Sequence, residues 1–494
     1  MATLKAARAH LTASNPVQDS AQLRVLTCGS VDDGKSTLLG RLLFDTHSIA
    51  DDQLSALDRE SKRWGTQGEA ADYALLLDGL SAEREQGITI DVAYRYFSTK
   101  RRSFIVADTP GHEQYTRNMA TGASQADLAI ILVDARKGIL AQTKRHAFIV
   151  ATLGVRHAVL AVNKMDLADF SQARFDEIVS EFGKVAVTLG FRTVVPIPLV
   201  ARDGDNLATR STRMPWYDGP TLLEHIETVD VTPPAGPEGF ILPVQLVLRP
   251  DSDFRGYAGT VAQGSVQVGN TVVALPSGGK STVARVIASG TDQGTARAGE
   301  AVTIALSNEI DVARGDILAT VADAPRPTTR LEATLLWMDD DALSPTRDYA
   351  LLLGPASAGA RVSTVKHAID VETYREREAS TLWLNELGAV SIEVDRALMA
   401  TPYRENRALG AFILVDRASN RTVALGVVDS IGAEESTKAP TRRFAGRAVA
   451  HATLSALTLG SIVLMMSGDA AVAVGVAGAN VVVSALLNRV VPLR

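Results

Sequence analysis

An α/β P-loop domain, two antiparallel β-barrels and a C-terminal helical hairpin make up the fold this sequence predicts, and three observations carry the reading. Up to about residue 230, short apolar runs without strict alternation recur between segments of helical spacing. Beyond a Pro/Gly-rich stretch the texture changes to short β-rich runs punctuated by glycine. Near the C-terminus, residues 448–467 and 470–487 contain no Asp, Glu, Lys or Arg. The 494 residues are too many for one core and suggest about three domains at ~150 residues each. An apolar content of 46 % with 21 % charged residues is that of an ordinary globular chain. The net charge of −6 argues against a broadly basic surface, so no nucleic-acid partner is expected. The single cysteine, Cys28, excludes an intramolecular disulfide and points to a reducing compartment. The N-terminal MATLKAARAHLTASNPVQDS lacks the apolar core of a secretory signal and reads as a short tail, residues 1–20. The expected location is cytoplasmic.

In residues 21–231, LRVLTC, SFIVAD, LAIILVDA, HAVLAVNK and TVVPIPL have the pattern of parallel strands buried on both faces. STLLGRLLF and ARFDEIVSEFGKVAVTLG between them are helical, which makes the segment a doubly wound α/β domain. TPPAGPEG, residues 232–239, marks its end. Runs such as ILPVQLVLRP and GYAGTVAQGSVQVGNTVVALP then suggest a first barrel over 232–325, and LEATLLWM, YALLLG and GAVSIEVD a second over 326–430. LPSGGKST, residues 275–282, contains a G-K-S-T, but Ala274 stands where a phosphate loop needs its first glycine. With β-rich flanks on both sides, it reads as a hairpin turn.

GSVDDGKST, residues 29–37, is the chemically decisive stretch. Gly29, Gly34, Lys35 and Ser36 fit G-x-x-x-x-G-K-[ST], after a strand and before a helix, with Asp32 and Asp33 inside the loop and Thr37 following it. The glycines let backbone N–H groups wrap phosphates, Lys35 reaches the β- and γ-phosphates, and the Ser36 hydroxyl ligates Mg²⁺. In DTPGHEQY, residues 108–115, Asp108 at a strand end suits Mg²⁺ through water, and Gly111 can offer its N–H to a γ-phosphate. D-x-x-G is common by chance and gains weight only from its place after the phosphate loop. NKMD, residues 163–166, selects the base: the Asp166 carboxylate accepts two hydrogen bonds from the N1–H and N2–H₂ edge of guanine, a donor pair adenine lacks. Asn163 and Lys164 would brace that loop and cover the ring. The expected ligands are GTP and Mg²⁺.

Together these motifs resemble the translation-factor class of GTPases, so the first domain is expected to be an α/β P-loop GTPase domain. The resemblance implies that Thr89 in EREQGITID ligates Mg²⁺ when GTP is bound. It also implies that His112 orients the attacking water, where its bland alternative is a surface-loop histidine, and that Asp32 is the aspartate this class often carries in its loop. Lys35, Thr89 and His112 are thus the catalytic candidates. The last guanine motif of the class, usually Ser-Ala-Lys or Ser-Ala-Leu, aligns with Val200-Ala201-Arg202, where the Ala201 N–H would bond guanine O6.

Within the class, GSVDDGKST followed by LLGRLLFD, with LDGLSAEREQGITIDVAYRYF, DTPGHEQYTRNMATGAS and DFRGYAGTV, resembles the large, GTP-binding subunit of bacterial sulfate adenylyltransferase over roughly residues 20–430. The resemblance implies a GTPase whose hydrolysis drives synthesis of adenylyl sulfate and pyrophosphate from ATP and sulfate, with adenylyl transfer on a separate small subunit. A translational GTPase is the alternative, which GHVDHGKT and a basic third domain would favour; a membrane-bound regulatory GTPase is a third. Some relatives carry a fused adenylyl-sulfate kinase. About 64 residues follow position 430 without a second phosphate loop, so that activity is not expected.

Residues 431–494 form the tail. Its two uncharged stretches, 20 and 18 residues long, are separated by Gly468-Asp469, and a bilayer span needs ~20 apolar residues. Lys438, Arg442, Arg443 and Arg447 precede the pair and Arg489 and Arg494 follow, which would place both ends of a membrane hairpin in the cytoplasm. The expectation is a membrane contact through residues 448–487 that tethers the protein to the inner membrane. A buried soluble hairpin and an oligomerisation element are the alternatives.

Overall fold

The computed structural model describes residues 22–64, 72–76, 89–232, 239–320 and 324–432. The N-terminal tail, the C-terminal helical hairpin and the proposed membrane contact over 448–487 lie outside the described residues. Among the described residues no helix is long and apolar enough to cross a membrane.

The first domain is built on a six-stranded sheet: β1 (Leu23–Gly29), β2 (Ala93–Ser98), β3 (Ser103–Asp108), β4 (Leu128–Asp134), β5 (His157–Asn163) and β6 (Thr193–Pro198). Their spatial order is β2-β3-β1-β4-β5-β6, with β2 antiparallel at one edge and the other neighbours parallel. The helices are α1 (Lys35–Asp45), α2 (Asp51–Trp64), α3 (Thr116–Ala123), α4 (Ala141–Thr152), α5 (Gln172–Leu189) and α6 (Leu222–Thr228). Every residue of β4 and β5 is buried. Helices cover both faces of these central strands, which is why their sequences do not alternate. One apolar cluster joins Leu26, Ile131 and Leu160 to Met119, Ile149 and Phe182. A second joins Val25, Ile130 and Val159 to Leu38, Leu42 and Ile226. Local chemistry starts the helices: Ser171 caps α5, and Thr221 with Glu224 forms a capping box on α6.

Between Ile241 and Ala319 lies a strongly curled antiparallel sheet. Its strand Ile241–Pro243 closes back on the chain after Gly256–Thr260 through the Ile241–Gln263 bridge. The segment carrying the second G-K-S-T is a hairpin here, Thr271–Leu275 pairing antiparallel with Lys280–Ala288. The last sheet is a closed six-stranded barrel. Tyr349–Leu353, Ala411–Asp416, Thr422–Ile431, Pro327–Trp337, Leu387–Met399 and Ala356–Ile369 pair in that order, and the last pairs again with the first. Closure removes the edges that an open sheet would expose.

The barrels are not independent of what they flank. Ile241, Val273 and Ile317 of the first share a cluster with Leu335, Trp337 and Tyr349 of the second. Leu336, Met338, Leu387, Tyr403 and Val427 of the second barrel belong to the cluster beneath α3 and α4. The second barrel therefore packs on the helices that follow the DTPG loop.

Candidate nucleotide-binding site

β1 ends at Gly29 and α1 begins at Lys35, so the phosphate motif is a tight strand-to-helix loop. Gly34 takes φ 96°, a left-handed conformation that disfavours side chains, and a Cβ there would also strike the Asn163 amide. Asp32 is left-handed as well, at φ 66°. The loop braces itself: the Ser30 N–H donates to Asp33 Oδ2 at 2.7 Å. Asp33 is buried, which raises its pKa against the pull of Lys35. Lys35 Nζ donates to the carbonyls of Ser30 at 2.8 Å and Gly29 at 3.3 Å. Burial lowers the Lys35 pKa, while the carboxylates of Asp108 and Asp33 work the other way. Ser36 and Thr37 follow in the first turn of α1, where helix N–H groups lack intrahelical partners and the dipole favours an anion.

Three oxygens converge beside this turn. Ser36 Oγ lies 3.1 Å from Asp108 Oδ2 and 3.3 Å from Thr89 Oγ1. Thr27 donates to the other Asp108 oxygen at 2.9 Å, fixing the carboxylate at the end of β3. The structure thus brings together Ser36, Thr89 and Asp108, an all-oxygen set suited to a hard divalent cation that keeps several waters. Among the described residues there is no cluster of three or more His, Cys, Asp or Glu side chains that could hold a metal ion. Gly111 is buried against the loop, and a Cβ there would meet Lys35 Nζ and the carbonyl of Gly29. His112 is exposed and opens the short turn Glu113–Tyr115, its Nδ1 accepting the Gln114 N–H at 3.2 Å.

The residues assigned to the base from sequence stand at the adjacent strand ends. Asn163 Nδ2 donates to the Asp33 carbonyl at 2.8 Å, and its Oδ1 accepts the Ala201 N–H at 2.9 Å. The N–H assigned from sequence to guanine O6 is thus engaged by Asn163 here. Lys164, left-handed at φ 61°, bonds the Asp32 carbonyl and pairs with Asp134 at 3.1 Å. Burial opposes the Asp134 charge, but hydrogen bonds from Arg136 and Lys164 outweigh it and hold that carboxyl down at about 2. Asp166 lies 3.5 Å from Arg202, whose guanidinium also holds Asp203 at 2.8 Å.

Several participants were not legible as motifs. His146 on α4 is fully buried, and its Nδ1 accepts the Gly29 N–H at 3.2 Å. Arg145 pairs with Glu113 at 2.7 Å, and Asn385 of the second barrel donates to the Glu113 carbonyl at 3.0 Å. Tyr374 donates to the Lys144 carbonyl at 3.2 Å and stacks on Phe148 at 5.8 Å. The signal for His146 was available as a polar residue on the apolar face of a helix beside β1; Asn385 carried none.

Residues 21–248 match the Elongation factor Tu GTP binding domain family, and residues 330–429 the GTP-eEF1A C-terminal domain-like family. Over 412 residues the chain is 52 % identical to sulfate adenylyltransferase subunit 1 of Citrobacter koseri, a match covering 83 % of this chain and 87 % of that protein. The chain belongs to the sulfate adenylyltransferase subunit 1 family. It is also 56 % identical over 408 residues to the bifunctional enzyme CysN/CysC of Xylella fastidiosa, and 53 % over 406 residues to the bifunctional enzyme NodQ of a Rhizobium species. It spans 66 % and 63 % of those two proteins, just under two thirds of each.

Burial beneath the loop, with the charges of Lys35 and Arg145 nearby, lowers the His146 pKa from 6.5 to about 3. Between these values the unfolded chain binds the proton and the folded one does not, so this histidine makes stability fall as pH drops from about 6.5 toward 3. Thermal melts across that range should show a slope that His146→Asn reduces. An unchanged slope would mean that the imidazole titrates in the folded protein.

Proposed function

We propose that this chain is the GTP-hydrolysing subunit of an ATP sulfurylase, in which GTP hydrolysis drives synthesis of adenylyl sulfate and pyrophosphate from ATP and sulfate on a separate small subunit. The observation that carries the reading is the 52 % identity to sulfate adenylyltransferase subunit 1 over nearly that whole protein, joined to a site with guanine-reading residues. Sulfate activation is strongly uphill, which gives an energy-coupling subunit its purpose.

In this reading the N–H groups at the start of α1 and the Lys35 ammonium receive the phosphates, and Asp166 accepts the donor edge of guanine. Ser36, Thr89 and Asp108 would hold Mg²⁺, which when bound neutralises charge on the β- and γ-phosphates. Gly111 offers its N–H to the γ-phosphate in this reading, and a side chain there would strike Lys35. His112 follows it and orients water once its ring turns from Gln114 toward the phosphate. Shifts of Gly111–Glu113 reach the second barrel directly, because Asn385 grips Glu113. Adenylyl transfer itself belongs to the partner.

The test is to purify the chain with its small-subunit partner and measure GTP hydrolysis with and without ATP plus sulfate. Stimulation by both substrates with adenylyl sulfate formed supports the reading; stimulation only by ribosomes overturns it. In the same assay His112→Ala should slow hydrolysis by about a hundredfold or more while GTP affinity stays near the parent's. Loss of binding instead would relocate His112 to the binding site.

Asp166→Asn should move preference from guanine toward xanthine nucleotides, read by competition binding, since an amide no longer matches guanine's two donors. Retained GTP preference would refute the base assignment. We further propose a cytoplasmic protein tethered to the inner membrane through residues 448–487, on the strength of the two uncharged stretches and their flanking arginines. The full-length chain should then sediment with membranes and need detergent for release; recovery in the soluble fraction would end the idea.

A further inference from the structure

Gly29 begins the phosphate loop, and its N–H points away from α1, to His146 Nδ1 at 3.2 Å. The imidazole is fully buried, and His146 Nε2 meets the side-chain amide of Gln142, one helical turn earlier, at 2.9 Å. A neutral imidazole accepts at one nitrogen only. Because Nδ1 takes the backbone N–H, the ring proton sits on Nε2. Burial keeps the ring neutral, so the acceptor persists across the physiological pH range.

We propose that His146 is a positioning residue for the phosphate loop. By taking the Gly29 N–H it fixes the first peptide of the loop from beneath, while Asp33 takes the next N–H, that of Ser30. With those two N–H groups committed, and that of Asp33 bonded to the Ser30 carbonyl at 3.4 Å, the N–H groups at the start of α1 are left for the phosphates. Neither His146 nor Gln142 touches nucleotide in this scheme. The proposal rests on the reading of this loop as the guanine-nucleotide site.

The experiment follows release of a fluorescent GDP analogue from the full-length chain by stopped flow. Binding by the parent comes first: if the parent does not bind, the nucleotide-site reading fails and takes this proposal with it. His146→Leu leaves the buried Gly29 N–H without an acceptor and should speed release about tenfold. His146→Asn places Oδ1 the same number of bonds from Cα as the histidine's Nδ1, and should stay within about threefold of the parent. A purely structural role would make Leu and Asn alike, so equal release rates for the two overturn the proposal. If His146→Leu does not fold, the comparison of His146→Ala with His146→Asn decides: faster release from the former supports it and equality overturns it.

Discussion

The nucleotide site depends on the side-chain amide of Asn163. It is buried at the end of β5, with one end donating to the Asp33 carbonyl and the other accepting the Ala201 N–H. Its own carbonyl takes the Ala135 N–H at 2.9 Å, so a single residue joins the phosphate loop, the end of β4 and the loop after β6. This works only because the strand order places β1, β4, β5 and β6 side by side with their C-terminal ends together. Removing the amide would strand two backbone groups in a dry interior at ~1–3 kcal/mol each. The same amide explains why position 34 must be glycine, since a Cβ there would occupy its space. Lys164 adds a second tie, to the Asp32 carbonyl and to Asp134.

From that fixed point, the mobile part of the chemistry is gripped from two sides. Glu113, two residues after Gly111, has its carboxylate paired with Arg145 of α4 and its carbonyl held by Asn385 of the second barrel. Arg117 of α3 reaches the Met338 carbonyl, and Tyr374 closes over α4. A displacement of Glu113 would disturb its bonds to Arg145 and Asn385, so the segment after Gly111 is in direct contact with the barrel. α4 touches all three partners: His146 the phosphate loop, Arg145 the DTPG loop, and Phe148 the barrel.

How much of this the sequence discloses follows from what each feature depends on. Strands buried on both faces announce themselves by unbroken apolar runs, so β4 and β5 are readable in LAIILVDA and HAVLAVNK. The convergence of Ser36 and Asp108 is foreshadowed because one lies in the first turn of α1 and the other ends β3, and the sheet places those ends together, while Thr89 reaches them from irregular chain ahead of β2. The hairpin at 275–282 is readable from Ala274 and its β-rich flanks. His146 and Asn385 are different. Their roles arise from residues 117 and 272 positions away along the chain, which no local spacing encodes. The closure of the second barrel is also a long-range property, set by Tyr349–Leu353 meeting two partners rather than one.

The departure at Val200-Ala201-Arg202 shows how the loop after β6 holds its shape without the serine its class usually places there. Val200 is buried and contributes packing plus a backbone bond to the Asp205 carbonyl at 3.4 Å. Arg202 pairs with Asp203, and Arg213 spans Asp203 at 2.6 Å and Asp205, while Arg41 of α1 donates to the Arg202 carbonyl at 2.8 Å. Each pair is partly exposed and contributes little stability alone. As a chain of fixed charges they instead orient the loop, and they end in a guanidinium 3.5 Å from Asp166.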